Sequence, residues 1–148
     1  MLTKQPQNIT PNDISWIGRD IAYWVGVSSD GSRAGVKRIR DLVDWFQLNN
    51  IFLSMEPLMY PPNPEHWEWH EWETNSHHDI WRNHLDWLII SADTSPDPWP
   101  VKSEWIETIL EAADEQQAPV FMKDNLRPHW PGELRQEWPE GLGGDDDE

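Results

Sequence analysis

Four polar side chains of this sequence stand where apolar runs end. Ser54 and Glu56 lie in Phe52-Leu-Ser-Met-Glu-Pro-Leu58, Asp93 closes Trp87-Leu-Ile-Ile-Ser-Ala-Asp93, and Lys123 lies in Val120-Phe-Met-Lys-Asp-Asn125. Together they supply a hydroxyl, two carboxylates and an ammonium, groups that bind a small polar ligand or relay a proton. Short apolar runs of this kind read as buried parallel strands, and α/β proteins build their sites at the C-terminal ends of such strands. Ser54 and Glu56 are two residues apart, which on a strand puts both on one face. A carboxylate on an inward face requires a partner, and Lys123 is the natural candidate. Three readings of the pair stay open: a structural ion pair, a ligand-binding acid and base, or a solvated surface pair.

A second concentration of chemistry lies between the strands. His66 and His70 are four residues apart, on one face of a helix, and Glu73, His77, His78 and Asp79 follow closely. Imidazole and carboxylate at this spacing are ligands for zinc or nickel. The order His66-Trp-Glu-Trp-His70 is not the His-Glu-x-x-His of zinc proteases, and the competing reading is a solvated or partner-facing excursion. Trp67, Trp69 and Trp72 cannot share one helical stripe, which leaves an aromatic contact surface. The sequence has no phosphate-cradling glycine loop, Gly-x-Ser-x-Gly elbow or defensible Ser/His/Asp arrangement.

The elements that must position these groups follow from periodicity. Residues 1–20, with Pro6 and Pro11 among Asn and Gln, read as an N-terminal arm. Ile21 to Ser28 reads as a strand, and Ser32 is placed to cap a helix over Arg33 to Leu48, whose Val36, Ile39, Leu42, Val43 and Phe46 recur at three and four. Asn49-Asn50 is its stop. Ile51 to Leu58 is the second strand, ended by Pro57. An excursion spans 59–85, and a third strand starts near Asp86. Ser103 is placed to cap a helix with Trp105, Ile106, Ile109, Leu110 and Ala113 on one face, ending near Gln117. Val120 to Asn125 is the last strand. The barrel domain is 21–139, and 140–148 is an acidic, disordered tail.

The order β-α-β-excursion-β-α-β predicts an α/β fold with about four parallel strands and outer helices, a partial, TIM-like half barrel. Half a barrel leaves strand edges unpaired. That predicts a homo-oligomer or a second chain completing the barrel.

Composition bounds the function. At 148 residues the chain fits one core-forming domain. It has no cysteine, so disulfides, thiolate metal sites and cysteine nucleophiles are excluded. No apolar run approaches the roughly 20 residues that cross a bilayer, and the start lacks a secretory signal. The expectation is a soluble, cytoplasmic protein. The net charge of −16 opposes direct binding to a nucleic-acid backbone. Four of the negatives sit in Asp145–Glu148 and five in Glu65–Asp79, leaving an ordinary −7 elsewhere. Of the twelve Trp, Trp24, Trp45, Trp87 and Trp105 fall at core positions, while Trp99, Trp130 and Trp138 lie among prolines, placed to pin loops and tail.

Read in order, Trp24-Val-Gly-Val-Ser28, Phe52-Leu-Ser-Met-Glu-Pro-Leu58, Leu85-Asp-Trp-Leu-Ile-Ile-Ser-Ala-Asp93, Trp105 with its helix, Pro119-Val-Phe-Met-Lys-Asp-Asn-Leu126 and Leu134-Arg-Gln-Glu-Trp-Pro139 form a series. It resembles the C-terminal half of a phage and prophage family of unknown function with a radical-SAM-like barrel. Such family members carry an N-terminal half whose three cysteines would hold an iron-sulfur cluster and S-adenosylmethionine. This chain lacks those cysteines, and Ser91-Ala-Asp93 stands where the family often has Gly-Gly-Glu. The resemblance therefore implies a fold and site positions. It implies S-adenosylmethionine or a cluster only with a partner chain, none being bound by this chain alone. In that reading Asp93 would take a ribose hydroxyl or an amine; as an Asp before Thr-Ser-Pro it is equally a turn former. The resemblance thus implies a truncated or split half that binds a small molecule or nucleotide cofactor through Ser54, Glu56, Asp93 and Lys123. The alternative is a non-enzymatic acidic protein that binds a host protein or mimics nucleic acid.

Overall fold

The computed structural model describes residues 2–3, 24–32, 35, 38, 50–61 and 85–142. Five strands, β1 (Leu2–Thr3), β2 (Val25–Ser29), β3 (Ile51–Met55), β4 (Trp87–Ile90) and β5 (Val120–Met122), form one sheet in the order β1-β2-β3-β4-β5. Every neighbouring pair is parallel. Each strand adds beside its predecessor without reversal, the winding of a barrel wall, whereas a doubly wound sheet reverses direction part-way. The α/β class and its parallel strands are as the sequence predicts. The arm adds what periodicity could not reveal: Leu2 and Thr3 pair with Gly26 and Val27 as a fifth, edge strand.

Alternation along the strands separates two faces. Val25, Val27, Ile51, Leu53, Met55, Leu88, Ile90, Val120 and Met122 point one way and are buried. With them, Ile106, Ile109, Leu110 and Ala113 of the helix Ser103–Glu115 make one apolar core. Removing this much β-branched and aliphatic surface from water is the main stabilising term of the fold. Trp105 only half joins that core. The helix begins one residue earlier than a Ser103 cap requires: Lys102 holds the cap position, with no side-chain hydrogen bond. Ser32 does act as a cap, its Oγ accepting from the Gly35 N–H at 3.2 Å. The remainder of the 33–48 helix and nearly all of the 59–85 excursion, with Trp45, Trp67, Trp69 and Trp72, lie outside the described residues.

The opposite, inner face changes character along the strands. Near their N-terminal ends Trp24, Phe52, Trp87 and Phe121 are half-buried rather than core. Trp87 is their hub, 6.2 Å from Trp24, 6.1 Å from Phe52 and 6.3 Å from Phe121 between ring centroids. Gly26 lies directly beneath the Phe52 ring, where a Cβ would collide with it.

The C-terminal segment closes the sheet at β5. Gln136 bridges Phe121 in antiparallel sense, the Met122 N–H donates to the Arg135 carbonyl at 2.7 Å, and the Glu137 N–H donates to the Val120 carbonyl at 2.9 Å. Glu137 Oε2 in turn accepts from the Val120 N–H at 2.8 Å. Arg135 grips both Glu137 oxygens, at 2.8 and 3.0 Å, and Asp114 Oδ1 at 2.7 Å. The Arg135 hydrogen bonds, with its charge, hold the Glu137 carboxyl below its ordinary range. Trp138 then stacks 5.1 Å from both Trp87 and Phe121, so Trp138 pins the tail as its sequence context suggests. At this edge the C-terminal segment covers β5.

Candidate functional site

The strand ends bring three of the four candidate residues to one side of the sheet. Ser54 is buried near the end of β3 on the inner face, where Ser28 of β2 and Ser91 after β4 are buried too. Beyond this row of hydroxyls, Lys123 Nζ meets Glu56 Oε1 at 2.6 Å. Two strand spacings, about 10 Å, separate β3 from β5, and two long side chains reaching across β4 close that gap. The pair is not sealed in the interior: side-chain exposure is 46% for Lys123 and 26% for Glu56. An ion pair this wet contributes about 0.2–1 kcal/mol to stability. It leaves both head groups within reach of a solute.

The scaffold around the pair is tightly specified. The Lys123 N–H donates to the Ile90 carbonyl at 2.9 Å, the Ser91 N–H to the Met55 carbonyl at 3.1 Å, and the Leu58 N–H to the Ser91 carbonyl at 2.9 Å, so the ends of β3, β4 and β5 are laced together. Asn125 completes the lacing. Its Oδ1 accepts from the Ala92 N–H at 3.2 Å, and its Nδ2 donates to the Ala92 carbonyl at 3.1 Å and the Ser91 Oγ at 3.3 Å. Arg38 donates to the Ser28 carbonyl at 3.0 Å from the helix after β2. Neither residue is singled out by sequence reasoning. For Asn125 the signal was its place two residues after Lys123, at a strand end that needed a clamp.

Asp93 is engaged by its own loop. Its Oδ2 accepts from the Trp99 N–H at 3.0 Å and the Ser95 hydroxyl at 2.9 Å, and its Oδ1 from the Ser95 N–H at 3.0 Å. Those donors, the Trp99 amide foremost, hold the carboxyl below its ordinary range. The turn-forming reading of Asp93 is thus the one its hydrogen bonds express. It folds the 93–99 loop around itself and sets the position of Trp99.

Among the described residues no cluster of His, Asp or Glu is arranged to hold a metal ion, and His66, His70, His77 and His78 lie outside them. The chain has no cysteine, so its residues do not fit an iron-sulfur cluster. A shallow depression of about 370 Å³ lined by Asp114, Gln117, Ala118, Pro119, Arg135 and Glu137 sits at the start of β5. There Arg135 is already engaged by Glu137 and Asp114. No described helix is long and apolar enough to cross a membrane.

No curated protein and no solved structure matches the chain. One family model does, over residues 1–134, from Met1 and β1 through β5 to the residue before the closing strap, 135–138, that lies along β5. Its description is a protein of unknown function, and it speaks of neither radical chemistry nor phage origin. A match over most of the chain is decisive for membership: this protein belongs to the DUF5131 family of proteins of unknown function.

Proposed function

We propose that the chain is a ligand-binding α/β half barrel of radical-SAM-like type that takes a small polar molecule or nucleotide cofactor at the C-terminal ends of β3 to β5. The observation that carries this reading is the Glu56–Lys123 pair, a half-exposed acid and base joined at 2.6 Å across an intervening strand. Its modest worth to stability makes little structural sense of two long side chains converging above a row of buried serines. As a site it is economical: Glu56 accepts hydrogen bonds from ligand hydroxyls or amines, Lys123 binds an anionic group as a point charge, and Ser54 offers a hydroxyl beneath them. Any cluster chemistry would need thiolates from outside these 148 residues.

The test is ligand-observed NMR of the full chain against nucleoside mono-, di- and triphosphates and S-adenosylmethionine. It is repeated with Glu56→Gln and Lys123→Ala. Binding by the wild type that disappears in both variants, with their unfolding curves unchanged, supports the site. Absence of binding across the panel, or binding indifferent to both substitutions, overturns it.

A further inference from the structure

Two large aromatic side chains stand exposed at the same end of the sheet as the ion pair: Tyr60, 43% exposed, in the loop after β3, and Trp99, 45% exposed, in the loop after β4. Their ring centroids are 6.2 Å apart with planes inclined at 41°. That is too close to admit a third ring between them, so the pair offers an outer aromatic surface. Neither ring is there by laxity of its loop. The Met59 and Tyr60 N–H groups both donate to the Asp30 carbonyl, at 2.9 and 3.1 Å. Gly31, at φ 90°, packs so closely on the Tyr60 carbonyl that a Cβ would meet it at 2.6 Å. On the other side, the Asp93 carboxylate fixes the Trp99 amide. Apolar side chains exposed on backbone that is fixed are a recognition feature, because the entropy of ordering them is spent before a ligand arrives.

We infer that Tyr60 and Trp99 form the ring-binding wall of the Glu56–Lys123 site, and that the ligand class is a nucleoside 5′-phosphate. The inference rests on the site proposed above and deepens it. Three chemistries meet at one end of the sheet: an aromatic face for a heterocyclic base, a carboxylate that accepts from ribose hydroxyls as acids do in other α/β nucleotide sites, and an ammonium for phosphate. Asp93 is a positioning residue in this scheme: it acts through Trp99 and does not itself touch the ligand.

The experiment is calorimetric titration of the full chain with AMP and, separately, with ribose 5-phosphate, which keeps the sugar and phosphate and lacks the ring. Trp99→Ala is expected to weaken AMP about tenfold or more, the scale of one lost base–aromatic stack, and to leave ribose 5-phosphate unchanged. Trp99→Phe restores most of the loss, and Asp93→Asn gives a smaller one with AMP alone. Lys123→Ala weakens both ligands. If AMP binding survives Trp99→Ala and Tyr60→Ala while remaining sensitive to Lys123→Ala, the ring wall is wrong and the ion-pair site stands. If it survives Lys123→Ala as well, both fall. Failure of AMP to bind the wild type overturns the nucleotide assignment, and ribose 5-phosphate binding in that case would leave the polar site intact.

Discussion

The two ends of the inner sheet face are built from opposite materials. At the N-terminal ends of the strands, Trp24, Phe52, Trp87 and Phe121 share ring contacts around Trp87 and the closing strap lays Trp138 over them. At the C-terminal ends, Ser28, Ser54 and Ser91 lead to an open acid–base pair. One end gains stability from aromatic area and a closed strand edge; the other forgoes it and keeps charge accessible to water. In parallel α/β sheets conserving the barrel winding, this is the division of labour between the end that holds the fold and the end that does chemistry.

The contrast is broken most strongly by Trp87→Ala. This removes the hub of the aromatic end, and the expected loss is about 3 kcal/mol, toward the low side for a large aromatic because the ring is only half-buried; chemical denaturation measures it. Arg135→Ala comes next, at about 1–2 kcal/mol, since it frees Glu137 and Asp114 from their charged hydrogen bonds at a partly exposed site. The strap should loosen with it, visible as faster amide exchange at Val120 and Met122, whose N–H groups face the strap. Glu56→Gln and Lys123→Ala fall last, each below about 1 kcal/mol in stability, although the same substitutions abolish ligand binding under the proposed function.

Acid sharpens the comparison further. Glu137 has a folded-state value depressed from 4.5, chiefly by Arg135. A depressed carboxyl stabilises the fold above its ordinary value, and that contribution is lost as pH falls through the lower, folded-state value. Stability should therefore decline below about pH 4.5, and in Glu137→Gln the decline should be shallower. An unfolding series from neutral pH to about pH 3, straddling the ordinary carboxylate range, reads this directly. An equal decline in both proteins would remove Glu137 from the explanation.

Much of this was legible in the sequence because it rests on local pattern. The runs containing Ile51–Met55, Trp87–Ile90 and Val120–Met122 are short, apolar and bounded by turn residues, and each is a strand. The Glu56–Lys123 contact could be named in advance because a carboxylate near a buried strand end needs a cation, and one long cation stood at another strand end. Long-range pairing is what local pattern does not encode. Leu2–Thr3 is too short to carry a period, and its role is set by its partner Gly26–Val27. The same holds for the strap, where Arg135, Gln136 and Glu137 are polar in sequence and become strand-like only against β5. Trp24 and Trp87 looked like core because aromatic residues on strands usually are, but strand parity turns them to the inner face. For Asp93 a turn and a ligand contact were both open in the sequence, and the donors that engage its carboxylate, Ser95 and Trp99, are close to it in the chain.

The most direct measurement is a 15N-resolved NMR titration of the full chain with AMP, following backbone amides and tryptophan indoles together. Shifts confined to Ser54, Glu56, Ser91, Lys123, Tyr60 and Trp99 are expected, with the indoles of Trp24, Trp87 and Trp138 and the amides of 135–137 unmoved. Shifts centred on Trp87, Trp138 and the strap, or no shifts at the strand ends, would contradict the assignment of the polar end as the binding end.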